Sequence, residues 1–155
     1  MAAKPIPEGY HSLTPSLAVD DAAEAIEFYK QAFGATERAR MPAPDGRIAH
    51  AELQIGDSLI TLADTFDQSA YKPPKEIGGT TASVLLYVED ADAVFEHALE
   101  AGATVTMPIE DVFWGDRYGQ VTDPFGHVWQ IATHKEDLSP EETMERAKGA
   151  MADLS

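Results

Sequence analysis

Two short stretches hold most of the residues that can do chemistry. RIAHAELQI (residues 47–55) spaces His50, Glu52 and Gln54 two apart, so on a strand they share one face. A histidine beside a glutamate can work as an acid/base pair, because imidazole changes charge near neutral pH and burial can tune a carboxylate upward. The same spacing also suits a solvated strand face or a ligand-anchoring stripe. FWGDRYG (residues 113–119) clusters aromatic rings, a cation and two glycines. There Trp114 and Tyr118 can stack a planar ligand while Arg117 pairs with a carboxylate or phosphate. The bland alternative puts Trp114 at a packing seam and pairs Arg117 with a surface acid. In DPFGHVWQIATH (residues 123–134), Gln130 is an amide in mid-strand, on the face opposite Trp129 and Ile131. His127 falls at the turn, where packing is its expected role. His134 and Asp64 end matching strands, at a rim or in solvent, and Glu24 and Glu27 read as an exposed helix face.

Other chemistry is hard to find. No Gly-rich phosphate loop sits between a strand and a helix, and neither HExxH nor GxSxG occurs. No catalytic residue is assigned beyond the candidates His50 and Glu52.

The elements that must position these residues come from an internal repeat. SLAVDDAAEAIEFYKQAFGAT (16–36) matches LLYVEDADAVFEHALEAGAT (85–104): Val19 lies over Val88, Asp21 over Asp90, Ala22 over Ala91, and GAT over GAT. Each copy reads as a short strand, an acidic helix start, an amphipathic helix and a glycine stop. The period then switches to two. ATERARM, RIAHAELQI and SLITLAD are three strands in the first copy; TVTMP, RYGQVTD and HVWQIATH are three in the second. In RIAHAELQI the set Ala49, Ala51, Leu53 and Ile55 is expected to face the helices. The fold class is α+β: two tandem βαβββ modules with curled mixed sheets forming a cleft, plus a C-terminal helix. Module one spans about residues 10–66, a Pro/Gly-rich linker 67–80, module two 81–135, and the helix 139–152, all in a single domain over 1–155. Ser139, Pro140 and Glu142 are in register for a capping box.

Composition sets the partners. With 11 basic and 27 acidic residues the net charge is −16, a surface that repels phosphate backbones and anionic lipids, so neither nucleic acid nor membrane is expected. The absence of cysteine excludes disulfides and thiolate metal sites. No apolar run is long enough for a membrane span, and MAAKPIPEGYH lacks the apolar stretch of a signal peptide, so a cytoplasmic protein is expected.

The paired modules, the DPFGHVW motif, and the stretches YHSLTPSLAV…AIEFYKQAFGA and FWGDRYGQVTDPFGHVWQIATH resemble the vicinal oxygen chelate superfamily: glyoxalase I, extradiol dioxygenases and the fosfomycin- and bleomycin-resistance proteins. The resemblance covers about residues 10–135 and is nearest to the PhnB-like branch. It implies a cleft lined by both curled sheets. In metal-dependent members each module gives one ligand from its first strand and one from its last. The resemblance carries those positions to Thr14, Thr61 (or Ile60, if the strand parity is off by one), Ser83 and Gln130. They hold no anionic ligand, and neutral oxygens bind a divalent transition metal weakly, so no metal or other cofactor is expected. The leading reading is therefore a metal-free binding protein for a small planar or amphipathic molecule, anions included, with Trp114, Arg117, Tyr118, Gln130, His50, Glu52 and Gln54 at the site and a homodimer completing the cleft. A divergent lyase, isomerase or dioxygenase, using His50 and Glu52 as acid/base or as relocated metal ligands, is the second reading. A ligand-free dimeric scaffold is the third.

Overall fold

Two four-stranded mixed sheets, each left open, carry the chain in the computed structural model, which describes residues 2–152. Module one contributes β1 (Ser16–Val19), α1 (Ala22–Phe33), β2 (Thr36–Pro42), β3 (Ile48–Ile55) and β4 (Ser58–Asp64). After a four-residue helix α2 (Pro74–Ile77), module two repeats the order with β5 (Ser83–Tyr87), α3 (Ala91–Ala101), β6 (Thr104–Asp111), β7 (Asp116–Thr122) and β8 (Val128–His134). The C-terminal helix α4 (Pro140–Met151) closes the chain. The sheets run β1-β4-β3-β2 and β5-β8-β7-β6, parallel only where the first strand of each module meets its last.

Both module helices start the same way. Asp21 and Asp90 cap them by accepting from Glu24 N at 3.2 Å and Ala93 N at 3.1 Å. Their first amides are then tied to the end of the last strand: Ala22 N donates to Asp64 at 2.8 Å, and Ala91 N donates to Thr133 at 2.8 Å. Asp64 also accepts from Ile48 N at 2.8 Å. It is therefore a structural clamp, and its counterpart in the second copy is Thr133, not His134. Gly34 ends α1 in the left-handed region at φ 68°, which only glycine enters without steric cost. α4 begins with the expected capping box between Ser139 and Glu142.

The two modules share one core. α1 packs against α3, and the rings of Phe28, Tyr29, Phe33, Phe125 and Trp129 meet between them. His127 helps to join the halves, its Nε2 lying 2.8 Å from the Ala18 carbonyl oxygen of β1.

Three details depart from the sequence reading. β6 does not stop at Pro108 but continues to Asp111, because the register shifts between Met107 and Glu110 and leaves the proline unpaired on an edge strand. The linker is not wholly irregular: Pro73 and Pro74 open the short α2, whose Pro74 packs against Gly126 of the DPFG turn. In β3, Ala51, Leu53 and Ile55 are buried beneath the helices as expected, but Ala49 is exposed and Ile48 is buried in its stead, beside a register shift at Met41/Pro42.

Candidate functional site

The face of the second sheet turned away from the helices carries a continuous polar chain. On β7 the period of two places Asp116, Tyr118 and Gln120 on this face, while Gly119 and Val121 point to the helix side. Gln120 Nε2 donates to the Tyr118 hydroxyl at 2.8 Å, Tyr118 donates to Gln130 Oε1 at 2.5 Å, and Gln130 Nε2 donates to Ser83 Oγ at 2.6 Å. The ladder crosses three strands, from β7 through β8 to β5. Gln130 does look away from the buried Trp129 and Ile131, and what it meets is Tyr118 and Ser83.

Aromatic rings wall one end of the ladder. Trp114 meets Tyr118 edge to face with ring centroids 5.1 Å apart, and its ring stays 37 % exposed. Beneath it Asp116, only 2 % exposed, accepts from Trp114 Nε1 at 3.0 Å, the Tyr87 hydroxyl at 2.7 Å and His134 Nδ1 at 2.8 Å. Burial pushes the Asp116 carboxyl up, but the bonds from His134, Tyr87 and Trp114 outweigh it and hold the group below the usual carboxylate range. The second nitrogen of His134 lies 2.8 Å from Asp137. A carboxylate on each ring nitrogen favours the imidazolium, and its pKa is raised, by Asp116 first and then Asp137. Asp116, Tyr87 and Gln120 were not singled out from sequence. Strand periodicity could have found Gln120 beside Tyr118, whereas only the tertiary fold brings Tyr87 to Asp116.

Arg117 is not part of this cluster. As the neighbour of Tyr118 in a strand it points to the opposite side, where it donates to Asp92 of α3 at 2.9 and 3.1 Å and to Asp111 at 3.4 Å. The expected grouping of Arg117 with Trp114 and Tyr118 is corrected on that ground: adjacent strand residues face opposite ways.

On the first sheet His50, Glu52 and Gln54 share a face, as their spacing required. His50 Nε2 lies 3.3 Å from Glu52 Oε1, while Gln54 turns aside and donates to the Gly56 carbonyl at 2.9 Å. Glu52 gains a partner that sequence gave no sign of, Tyr10 from the N-terminal segment. The Tyr10 hydroxyl, then His50, hold the Glu52 carboxyl below its ordinary range, and the same bond raises the Tyr10 phenol. A hollow of about 270 Å3 runs beside His50, walled by Ser16, Ala63, Phe66 and the linker residues Ser69 and Tyr71. Register makes this pair the counterpart of the ladder: Glu52 opposes Thr61 on β4, and Gln120 opposes Gln130 on β8.

The four positions that the resemblance marks for a metal do not fit one. Thr61 donates to the Ser16 hydroxyl at 2.9 Å, on the helix-free side of β4, while its neighbour Ile60 is buried. Gln130 and Ser83 are bonded to each other, and the Gln130 carbonyl oxygen is already engaged by Tyr118. Thr14 lies before β1, beside a hollow of about 440 Å3 between the β3–β4 turn and the edge of β5. All four are neutral oxygen donors, and no group of three or more His, Cys, Asp or Glu able to hold a metal occurs among the described residues.

The family model described as Glyoxalase/Bleomycin resistance protein/Dioxygenase superfamily matches residues 10–131. A Mycobacterium bovis protein of unassigned function is 46% identical over 134 residues, which cover 84% of this chain and 88% of that protein. Among solved structures, an Arabidopsis thaliana gene product shares 30% identity with a TM-score of 0.66, covering 79% of this chain and 98% of its own. The PhnB protein of Bacillus cereus shares the fold at 19% identity and a TM-score of 0.64, covering 79% of this chain and 99% of its own.

Proposed function

Because the chain belongs to the glyoxalase/bleomycin resistance protein/dioxygenase superfamily, we propose that it is a metal-free small-molecule binding protein whose ligand lies across the helix-free faces of its sheets. The observation that carries this reading is the half-exposed Trp114 ring, fixed by the buried Asp116 and set beside a hydrogen-bond ladder of side chains. An aromatic wall next to convergent polar groups is the usual make-up of a small-molecule site. Trp114, Tyr118 and Gln130 are its contact residues, with His50, Glu52 and Gln54 on the matching face of module one.

Each face is only half a cleft. Leu85 and Tyr87 on β5 are 46 % and 54 % exposed, and Met41 on β2 is 60 % exposed. A second copy of the chain would bury these side chains and close the cleft, as expected of a two-fold homodimer. No helix of the described residues is long and apolar enough to cross a membrane.

Native mass spectrometry of freshly purified protein, combined with a thermal-shift screen of aromatic and amphipathic compounds, tests the proposal. A retained or stabilising small molecule whose effect disappears in Trp114→Ala supports it. A dimer that takes up nothing favours the scaffold reading. The His50–Glu52–Tyr10 cluster is the one observation that favours an enzyme. Turnover of a carbonyl or aromatic substrate, lost in Glu52→Gln, would favour the lyase, isomerase or dioxygenase reading over simple binding.

A further inference from the structure

The ladder of module two has a property that bears on what it can hold. In its bonds Gln120 donates to Tyr118, Tyr118 to Gln130, and Gln130 to Ser83. This direction leaves the Ser83 hydroxyl proton free to donate outward and the Gln120 carbonyl oxygen free to accept. If both amides flip, every bond survives in reverse: Ser83 donates to Gln130, Gln130 to Tyr118, and Tyr118 to Gln120. Amide oxygen and nitrogen have nearly the same shape, and hydroxyls rotate, so both directions are fully satisfied at the same positions. The Ser83 end thus offers a donor in one state and an acceptor in the other.

Charge on this face is one-sided. Asp116 lies on it, and Glu110 stands opposite Tyr118 in register. Arg117 is held on the other side of the sheet by Asp92, and His134 is flanked by two carboxylates, one on each ring nitrogen. Every other residue that register places here is uncharged. On the module-one face, Arg38 stands within electrostatic reach of the Glu52 carboxylate and helps to hold it below its ordinary range. An anion brought to the ladder itself would lose water without gaining a free cation on that face, an unfavourable exchange.

We propose that this ladder selects an uncharged aromatic ligand and reads one hydrogen-bonding group on it in either polarity. The inference rests on the binding reading above and narrows its ligand class, removing the anionic option.

The test uses matched aromatic triads on several ring systems, each an aryl carboxylate, an aryl methyl ketone (acceptor only) and an arylamine (chiefly a donor). Affinities are read by ligand-observed NMR and by tryptophan fluorescence at neutral pH and physiological salt. The expected result is that ketone and amine bind within about threefold of each other while the carboxylate is at least tenfold weaker. Ser83→Ala should weaken both neutral members severalfold, and Arg117→Ala should change neither. Tighter binding of the carboxylate overturns the inference and leaves the binding reading standing. Binding of the ketone without the amine, or the reverse, shows a fixed ladder and overturns it as well. If no member of any triad binds, the binding reading fails and the inference with it.

Discussion

The Tyr29 hydroxyl donates to the Asp123 carboxylate at 2.5 Å, joining α1 of module one to the DPFG turn of module two across 94 positions of sequence. Asp123 is 4 % exposed and also accepts from Trp129 Nε1 at 2.9 Å, Phe125 N at 2.9 Å and His127 N at 3.0 Å. One buried carboxylate therefore holds a turn, a core indole and the neighbouring module. Four donors and, among the described residues, no cation meet its oxygens. Burial first, then the charge of Asp123, push the Tyr29 phenol well above its ordinary pKa, so the hydroxyl remains a donor.

Asp123→Asn should destabilise the fold strongly, by about 2–3 kcal/mol, because two side-chain donors lose an ionic acceptor and one amide hydrogen must itself find a partner. Tyr29→Phe removes a single bond and leaves the carboxylate three donors, so about 1–2 kcal/mol is expected. Urea denaturation followed by fluorescence of the buried Trp129 measures both. Equal losses would show that the joint acts mainly through packing.

Stability should also respond to pH through His134. Its folded pKa is raised, so the imidazole keeps its proton to higher pH in the folded state than in the unfolded one. The stabilisation is fully present below the ordinary histidine value of about 6.5 and fades as pH rises through the raised one. Melting temperatures of wild type measured upward from about pH 6 should therefore fall relative to those of His134→Gln. Parallel curves would mean that Asp116 and Asp137 do not stabilise the fold through His134.

Much of this was legible in the chain itself. Asp21 and Asp90 before apolar periodic runs, and Gly34 after one, state where the helices begin and end, because capping chemistry is local. The alternation of β3 put His50 and Glu52 on one face for the same reason. Arg117 shows a local rule left unapplied, since its neighbour Tyr118 already fixed it on the other face of β7. Tyr10 on Glu52 and Tyr87 on Asp116 were not legible at all: each pair is made by tertiary approach, and nothing in the local pattern announces it.

Metal content follows from the donor set. Purified without chelator, the protein should carry well under one equivalent of Zn²⁺, Ni²⁺ or Fe²⁺, since Thr14, Thr61, Ser83 and Gln130 offer only neutral oxygen. Elemental analysis checks this. Near-stoichiometric metal that disappears in His50→Ala or Glu52→Gln would instead establish a relocated site and promote the enzyme reading.

Assembly is tested at the open face of β5. Sedimentation at tens of micromolar should give a dimer, and a charge placed at Leu85, as in Leu85→Arg, should shift it toward monomer by at least about tenfold in dissociation constant, roughly 1.4 kcal/mol. Leu85 is exposed in one chain, so the substitution should leave the melting of an isolated monomer nearly unchanged. A wild-type monomer at that concentration would sink the dimer and leave each half-cleft open.

The last prediction uses the repeat as its own control. Strand register makes Gly119 of β7 the counterpart of Ala51 of β3, since they oppose Ile131 and Leu62 at matching positions of the last strands. The repeat alignment likewise sets Phe95 of α3 over Ile26 of α1. In module two a large ring sits over glycine, while the matching positions of module one hold the smaller isoleucine and an alanine. A Cβ added at Gly119 would lie 2.8 Å from Phe95 Cε2 and 3.0 Å from Ile109 Cα. Gly119→Ala should therefore cost about 1–3 kcal/mol, the usual penalty for overpacking a filled core. Phe95→Ile alone should also destabilise, because it leaves a void above the glycine. Combined, the two changes should recover at least about 1 kcal/mol of the summed loss, a coupling that a double-mutant cycle in urea reads directly. Additive losses would mean that the Ile109 backbone, and not the Phe95 ring, sets the fit at this position.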